Sequence, residues 1–269
     1  MRVHKKEAVD PNVELKRLHM VDVEFFVCGR TSLVYNRMPM SAMRALLCPP
    51  LPKNKAERAA TLRHRPIEEY RDSVYRTRRN DGPTRLMLPA VCFKRAMSSV
   101  ALDIPGLAKT EVGRLLWTEP SMLDLYGVPQ LFMTPVRCAG ASKAPDIRTR
   151  AIVPEWACRF RARFVVGRLQ GPTVVNLAKA AGTIRGVGDG RPEKGWGSYG
   201  QFDLVAPDNP TFLARCKLGR VQQDQALDTP LPYDDDTADL LQWYTEEVLR
   251  RRGAGAKAPV AEMAEGVMQ

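Results

Sequence analysis

Three side-chain patterns in the sequence suit a polyanion better than a small substrate. The first is WACRFRARF at 156–164. Side chains alternate across a strand, so Trp156, Cys158, Phe160, Ala162 and Phe164 fall on one face, and Arg159, Arg161 and Arg163 on the other. Three guanidiniums in a row repel one another unless an anion or an acidic neighbour offsets them. Between Ile147 and Phe164 the only acid is Glu155, and the preceding strand adds Arg148 and Arg150, two residues apart and so on one face. The second pattern is GVGDGRPEKGWGSYG at 186–200, with Gly186, Gly188, Gly190, Gly195, Gly197 and Gly200. Glycine permits positive φ and close approach of the backbone to a ligand, which can aim amides at phosphates. Arg191 and Lys194 add charge there, while Trp196 and Tyr199 are rings on which unpaired bases stack. The third is density: 148–194 holds ten Lys/Arg against three Asp/Glu, a net of +7. Cations interleaved with aromatics are the footprint of a nucleic-acid groove.

Other chemistries find less support. No G-K-[ST] follows the glycine stretch, and it joins a helix to a strand, so it is neither a phosphate-binding P-loop nor a dinucleotide fingerprint. The six cysteines, Cys28, Cys48, Cys92, Cys138, Cys158 and Cys216, never lie within four residues of one another, which leaves no zinc knuckle and reads as core thiols. His4, His19 and His64 are scattered, and no nucleophile elbow or carboxylate pair stands out. His64 reads as a surface histidine. The segment 224–247 carries eight Asp/Glu and no Lys or Arg, yet lacks the glycine and closing glutamate of a calcium loop. It reads as a solvated connector and helix face, or as a shield for the basic surface. The expectation is therefore no metal, no cofactor and no assigned catalytic residue.

The chain has 269 residues, a formal charge of +11 and a pI near 9.6. No apolar run approaches the ~20 residues of a bilayer crossing. The N-terminal MRVHKKEAVDPNVELKR has no apolar segment behind its charges. A cytoplasmic protein is expected, with nucleic acid rather than membrane as the polyanion.

The elements that must position these residues read as α+β. After a polar arm (1–18), residues 19–28 alternate as a half-buried strand closed by Gly29. A helix after Ser41 stops at Pro49 and Pro50. Pro66 opens a second helix through 79, inside a basic insertion at about 38–83. A strand at 84–89 leads into PAVCFKRAMSSVAL, a helix burying Val91, Phe93, Ala96, Met97 and Val100, with Lys94 and Arg95 towards the other side. Thr110 reads as the N-cap of a helix containing Leu115, Leu116 and Trp117. Strands follow within 121–138, at 147–153 and at 156–166, with a loop at 139–146. A helix at 172–182, the glycine stretch and a strand at 201–205 complete a domain over 19–206. An acidic connector and helix (207–252) and a disordered tail (253–269) close the chain.

The order strand, helix, two strands, helix, glycine loop, strand is a ferredoxin-like, RRM-like β-α-β-β-α-β core with a long helical insertion and a C-terminal helix. GVG-DGRPEK-GWG-SYG between second helix and last strand resembles the G-rich loop of the RAMP superfamily, RNA-binding proteins of CRISPR complexes. LPAVCFKRAM is similar to that family's strand-to-helix segment. The resemblance covers about 20–30 and 84–206, and RPEKG-x-G-x-x-G also resembles bacteriophage- and prophage-encoded proteins. It implies RNA-backbone contacts for Lys94, Gly186, Gly188, Arg191, Lys194, Gly195 and Gly197. The insertion, the acidic C-terminal region and the lack of a histidine in the first helix depart from the family, the last telling against cleavage.

The first expectation is thus a non-catalytic binder of single-stranded RNA through the basic sheet face and loop. The alternatives are a metal-independent endoribonuclease, a phage single-stranded DNA-binding or annealing protein, and an assembly protein that forms homo-oligomers.

Overall fold

The computed structural model describes residues 18–48, 62, 64–137, 145–195 and 197–253. The expected polar arm, apart from its last residue, and the expected tail after its first lie outside them.

Alternation builds the main sheet. β1 (Met20–Gly29) pairs antiparallel with β9 (Ala157–Val165) along nearly its whole length, from Met20↔Val165 to Cys28↔Ala157. On the other side of β1 lies β10 (Phe202–Val205), and beyond β9 come β6 (Met122–Tyr126), β4 (Leu86–Pro89) and β3 (Tyr75–Arg76), giving the order β10-β1-β9-β6-β4-β3. β5 (Leu116–Glu119) shares the edge of β9 with β6, pairing farther along. All of these pairings are antiparallel.

One face of this sheet carries Phe25, Val27, Leu88, Leu125, Phe160, Ala162 and Phe164, all buried against two helices. α3 (Val91–Val100) presents Phe93, Ala96, Met97 and Val100, and α5 (Gly171–Ala180) presents Val174, Leu177 and Ala178. Phe93 stacks on Phe160 with ring centroids 4.4 Å apart and meets Phe202 edge-on at 5.2 Å. Fully burying one such side chain stabilises by about 1.5–3 kcal/mol. Val91 departs from its expected core position and is exposed, because it lines an open cleft beside the glycine loop rather than the core.

A smaller sheet, β2-β8-β7, is built from β2 (Leu33–Val34), β7 (Gln130–Arg137) and β8 (Pro145–Val153). It continues the β6–β9 hairpin around a corner. Gly127, at φ +122°, sits at that corner, where an added Cβ would lie 2.2 Å from the Glu155 carbonyl oxygen. No larger residue fits there.

Several boundaries differ from the sequence reading. α1 (Met40–Leu47) buries none of its residues, and α2 (Pro66–Ser73) stops six residues early. Val74 turns extended and Tyr75 pairs with Met87, so strand pairing overrides the helical pattern. α4 (Lys109–Leu115) starts after Ala108 rather than Thr110, and Leu116 leaves it to join β5.

The expected connector contains two further helices, α6 (Pro210–Arg215) and α7 (Arg220–Asp228). Asn209 caps α6 by accepting from the amides of Thr211 and Phe212 at 3.0 and 3.1 Å. From α7, the fully buried Gln223 accepts from the Arg85 and Leu86 amides at 2.7 and 3.0 Å. Its Nε2 donates to the Leu125 and Gly127 carbonyls at 2.8 and 3.0 Å. α8 (Asp235–Gly253) then packs on the small sheet, with Thr237 accepting from the Met133 amide at 3.2 Å. Among the described residues no helix is long and apolar enough to cross a membrane.

Candidate nucleic-acid interface

The arginine strand has the faces its alternation requires. Trp156, Cys158, Phe160, Ala162 and Phe164 are buried, Arg159 and Arg161 are exposed and Arg163 is half-buried. Of the two ways to offset its charge, an anion or an acidic neighbour, the fold supplies acidic neighbours. The register sets Asp22 opposite Arg163 and Glu24 opposite Arg161, while β5 sets Glu119 opposite Arg161 on the other edge. Arg163 donates to both Asp22 oxygens at 2.7 and 3.1 Å and lies 3.4 Å from Glu119. Arg161 reaches Asp22 at 3.8 Å. Hydrogen bonding from Arg163 holds the Asp22 carboxyl below the usual carboxylate range. Arg159 makes no ion pair among the described residues. It sits opposite Phe26, at an end of the face that α6 partly covers through the edge-on contact of Phe212 with Phe26 at 5.4 Å. The outer sheet face therefore mixes signs.

Arg148 and Arg150 belong to β8 and the small sheet, not to the sheet of β9. Arg148 is exposed, whereas Arg150 is only 5% exposed, because the glycine loop lies over its end of the strand. Asp189 of the loop accepts from Arg150 Nη1 in a short ion pair, and Arg150 Nε is buried with no partner. Burial pulls the Arg150 pKa below its ordinary value despite Asp189.

The loop follows α5 through a single widened turn, Ala181–Arg185. Gly186, Gly188, Gly190, Gly195 and Gly200 all hold positive φ, between +62° and +80°. Several of its amides turn inward rather than towards a ligand. Val187 donates to Gly200 O at 2.9 Å, Asp189 to Val34 O at 2.9 Å, Gly200 to Ser32 O at 2.8 Å and Tyr199 to Gly190 O at 3.2 Å. Glycine is needed for close packing: a Cβ at Gly188 would meet Val34 O at 2.6 Å, and one at Gly197 would meet Gly190 O at 2.2 Å. Arg191 donates to Gly188 O and Glu193, both at 2.8 Å, while Ser99 Oγ donates to Glu193 at 2.6 Å. Burial pushes the Glu193 carboxyl up, but these donors outweigh it and leave its pKa lowered. The glycine loop is a braced platform clamped to α3 and β2.

Beside that platform, a groove of about 190 Å³ runs between the loop and α3. Gly186, Gly188, Arg191 and Glu193 form its loop wall, and Arg95 stands on its helix wall. Asn36 and Tyr75 also line it, although nothing in their local sequence marked them; only the fold brings β3 and the end of β2 there. Burial pushes the Cys92 thiol on its floor up to about 12. Lys94 does not join this groove. Its ammonium lies 5.8 Å over the Trp117 ring, which cation–π attraction favours. Lys194 and Gly195 are exposed at the loop tip, Gly197 is half-buried and Trp196 lies outside the described residues.

His64 is held between two carboxylates, with Nδ1 3.0 Å from Glu69 and Nε2 3.0 Å from Asp146. It joins α2 to the hairpin and is partly buried rather than a free surface histidine. In the acidic segment, Asp234 and Glu247 serve helix architecture: Asp234 accepts from the Thr237 amide at 2.8 Å, and Glu247 is bonded by Arg250 and Arg251. Among the described residues, no group of three His, Cys, Asp or Glu is arranged to hold a metal ion. Neither a family model nor a curated protein matches the sequence.

Proposed function

We propose that the chain binds single-stranded RNA in the groove between α3 and the glycine loop, without catalysing a reaction on it. The observation that carries this reading is the groove itself. Arg95, free of any ion pair among the described residues, faces a braced backbone platform across a cleft whose other polar side chains include Asn36, Tyr75 and the ion-paired Arg191 and Glu193. Uncompensated cations bind phosphates, an open planar side chain accepts an unstacked base, and a rigid platform lowers the ordering cost of both. The sheet face of Arg161 and Arg163 is a weaker candidate, because Asp22, Glu24 and Glu119 offset it.

The fold we assign to this reading is ferredoxin-like. Its support is the antiparallel order β10-β1-β9-β6 with α3 and α5 on one face, the arrangement a β-α-β-β-α-β unit gives when its last strand returns beside the first. The RAMP resemblance of the loop and of LPAVCFKRAM fits the same arrangement. A non-catalytic role is supported by two features of the groove: neither His19 nor His64 lines it, and the Cys92 thiol stays protonated at neutral pH.

The test compares two double variants for binding of a single-stranded oligoribonucleotide at low salt, with the matched DNA strand and EDTA controls alongside. Arg95→Gln with Lys194→Gln is expected to weaken RNA binding roughly tenfold, and Arg161→Gln with Arg163→Gln to change it little. The opposite ranking would return the interface to the sheet face. Cleavage of the RNA in EDTA would overturn the non-catalytic assignment.

A further inference from the structure

A second cavity of about 190 Å³ opens between the glycine loop and the small sheet, lined by Val34, Phe132, Thr134, Arg150, Gly190 and Tyr199. It far exceeds the roughly 10–15 Å³ that a single water needs, so it admits a larger group. The register of β7 and β8 defines its sheet wall. Phe132 stands opposite Arg150 and Thr134 opposite Arg148, and residues paired in this way point to the same face. Arg148 is exposed, so it stands at the rim beside Thr134.

The polar side chains here have donors to spare. Thr134 Oγ1 makes only a 3.5 Å contact with the Pro135 carbonyl, and the Tyr199 hydroxyl has no partner among the described residues. Burial raises the Tyr199 pKa, so that hydroxyl keeps its proton. On Arg150, Asp189 occupies Nη1 and Nε is sealed from the cavity. Nη2 is not sealed and has no partner among the described residues. Guanidiniums donate and never accept, so the complementary group is an acceptor.

Charge sets its sign. Burial disfavours the charged form of Arg150; Asp189 opposes that effect and Arg148 adds to it. Two guanidiniums thus share one carboxylate. Two further acids are committed elsewhere. Asp146 lies 3.0 Å from His64 Nε2, and Asp234 accepts from the Thr237 amide at the positive end of α8. The cluster is short of one negative charge, which a phosphodiester supplies and a neutral base does not.

We infer that this cavity seats one phosphodiester of the bound strand, its oxygens held by Arg150 Nη2, Thr134 and Tyr199 within and by Arg148 at the rim. The inference rests on the reading that the chain binds single-stranded RNA. The groove and this cavity share Val34 as a lining residue, so one strand can occupy both.

The experiment titrates an oligouridylate into the full chain and its variants over a range of salt concentrations. Arg148→Gln is expected to weaken binding several-fold and to lower the salt slope by about 0.7, the share of one phosphate. Thr134→Val and Tyr199→Phe each remove an uncharged donor and are expected to weaken binding roughly threefold at unchanged slope. Melting temperatures confirm that each variant is folded. A loss confined to Arg148→Gln would make that residue a plain surface charge and overturn the pocket. Inorganic phosphate, titrated alone, separates a strand from a free anion. Micromolar phosphate binding that Arg148→Gln abolishes would overturn the strand assignment. If all three pocket variants bind like the wild type while Arg95→Gln with Lys194→Gln does not, the pocket fails and the groove reading stands. Absence of RNA binding by the wild type overturns both.

Discussion

Gly200 and Gly195 hold almost the same backbone conformation, φ +70° and +74°, in different surroundings. A Cβ on Gly200 would stand 1.7 Å from the Val187 carbonyl oxygen, whereas one on Gly195 would meet nothing within 4 Å. Placing an L residue in the left-handed region costs about 1–2 kcal/mol by itself. Gly195→Ala should therefore lower the unfolding free energy by about that amount in urea titrations, and Gly200→Ala by at least about twice as much. Equal costs would show that the loop gives way freely, against a braced platform. The spacing of the glycines announced a loop with special backbone geometry. It did not say that the amides of Asp189 and Gly200 face the protein, since their acceptors on Val34 and Ser32 are far away in sequence. For the same reason Arg150, which the loop buries against Asp189, was legible only as one more positive charge.

Strand β9 was readable because its alternation is local: every second residue from Trp156 to Phe164 is buried, as side-chain geometry demands. Its partners were not readable. Asp22 and Glu24 reach the arginines through a register set by the pairing of β1 with β9, and that register depends on the whole buried face. The region after 206 shows the opposite failure. Asn209-Pro210 is an N-cap followed by a first-turn proline, a helix signal that the surrounding prolines and aspartates obscured. The consequence is more than a missed helix, because Gln223 of α7 ties the backbones of β4 and β6 through four hydrogen bonds. Gln223→Ala strands those buried groups and should destabilise by about 3 kcal/mol in thermal or urea unfolding. A chain ending at 206 should lose cooperative unfolding altogether, since Leu227 also belongs to the main core. A fully cooperative, unchanged transition in that truncated chain would restore 207–252 as a mere appendage.

Across the whole molecule, the net charge of +11 does not say where a polyanion meets unpaired cations. Arg30, Arg85, Arg150, Arg163, Arg168, Arg185 and Arg191 are each engaged by a carboxylate. Arg95 beside the groove, Lys194 at the loop tip and Arg148 at the mouth of the small sheet carry no such partner among the described residues. The two descriptions predict different salt dependences. Binding of a single strand falls with log salt at about 0.7 for each phosphate neutralised. Three localised contacts give a slope of about −2, whereas a protein attracting RNA through its whole excess of charge would approach about −8. The expected result is the shallow slope, reduced to about −1 or less in Arg95→Gln with Lys194→Gln and unchanged in Arg161→Gln with Arg163→Gln. A steep slope that ignores the first pair would make binding a property of net charge, and the groove would then have no special claim on the strand.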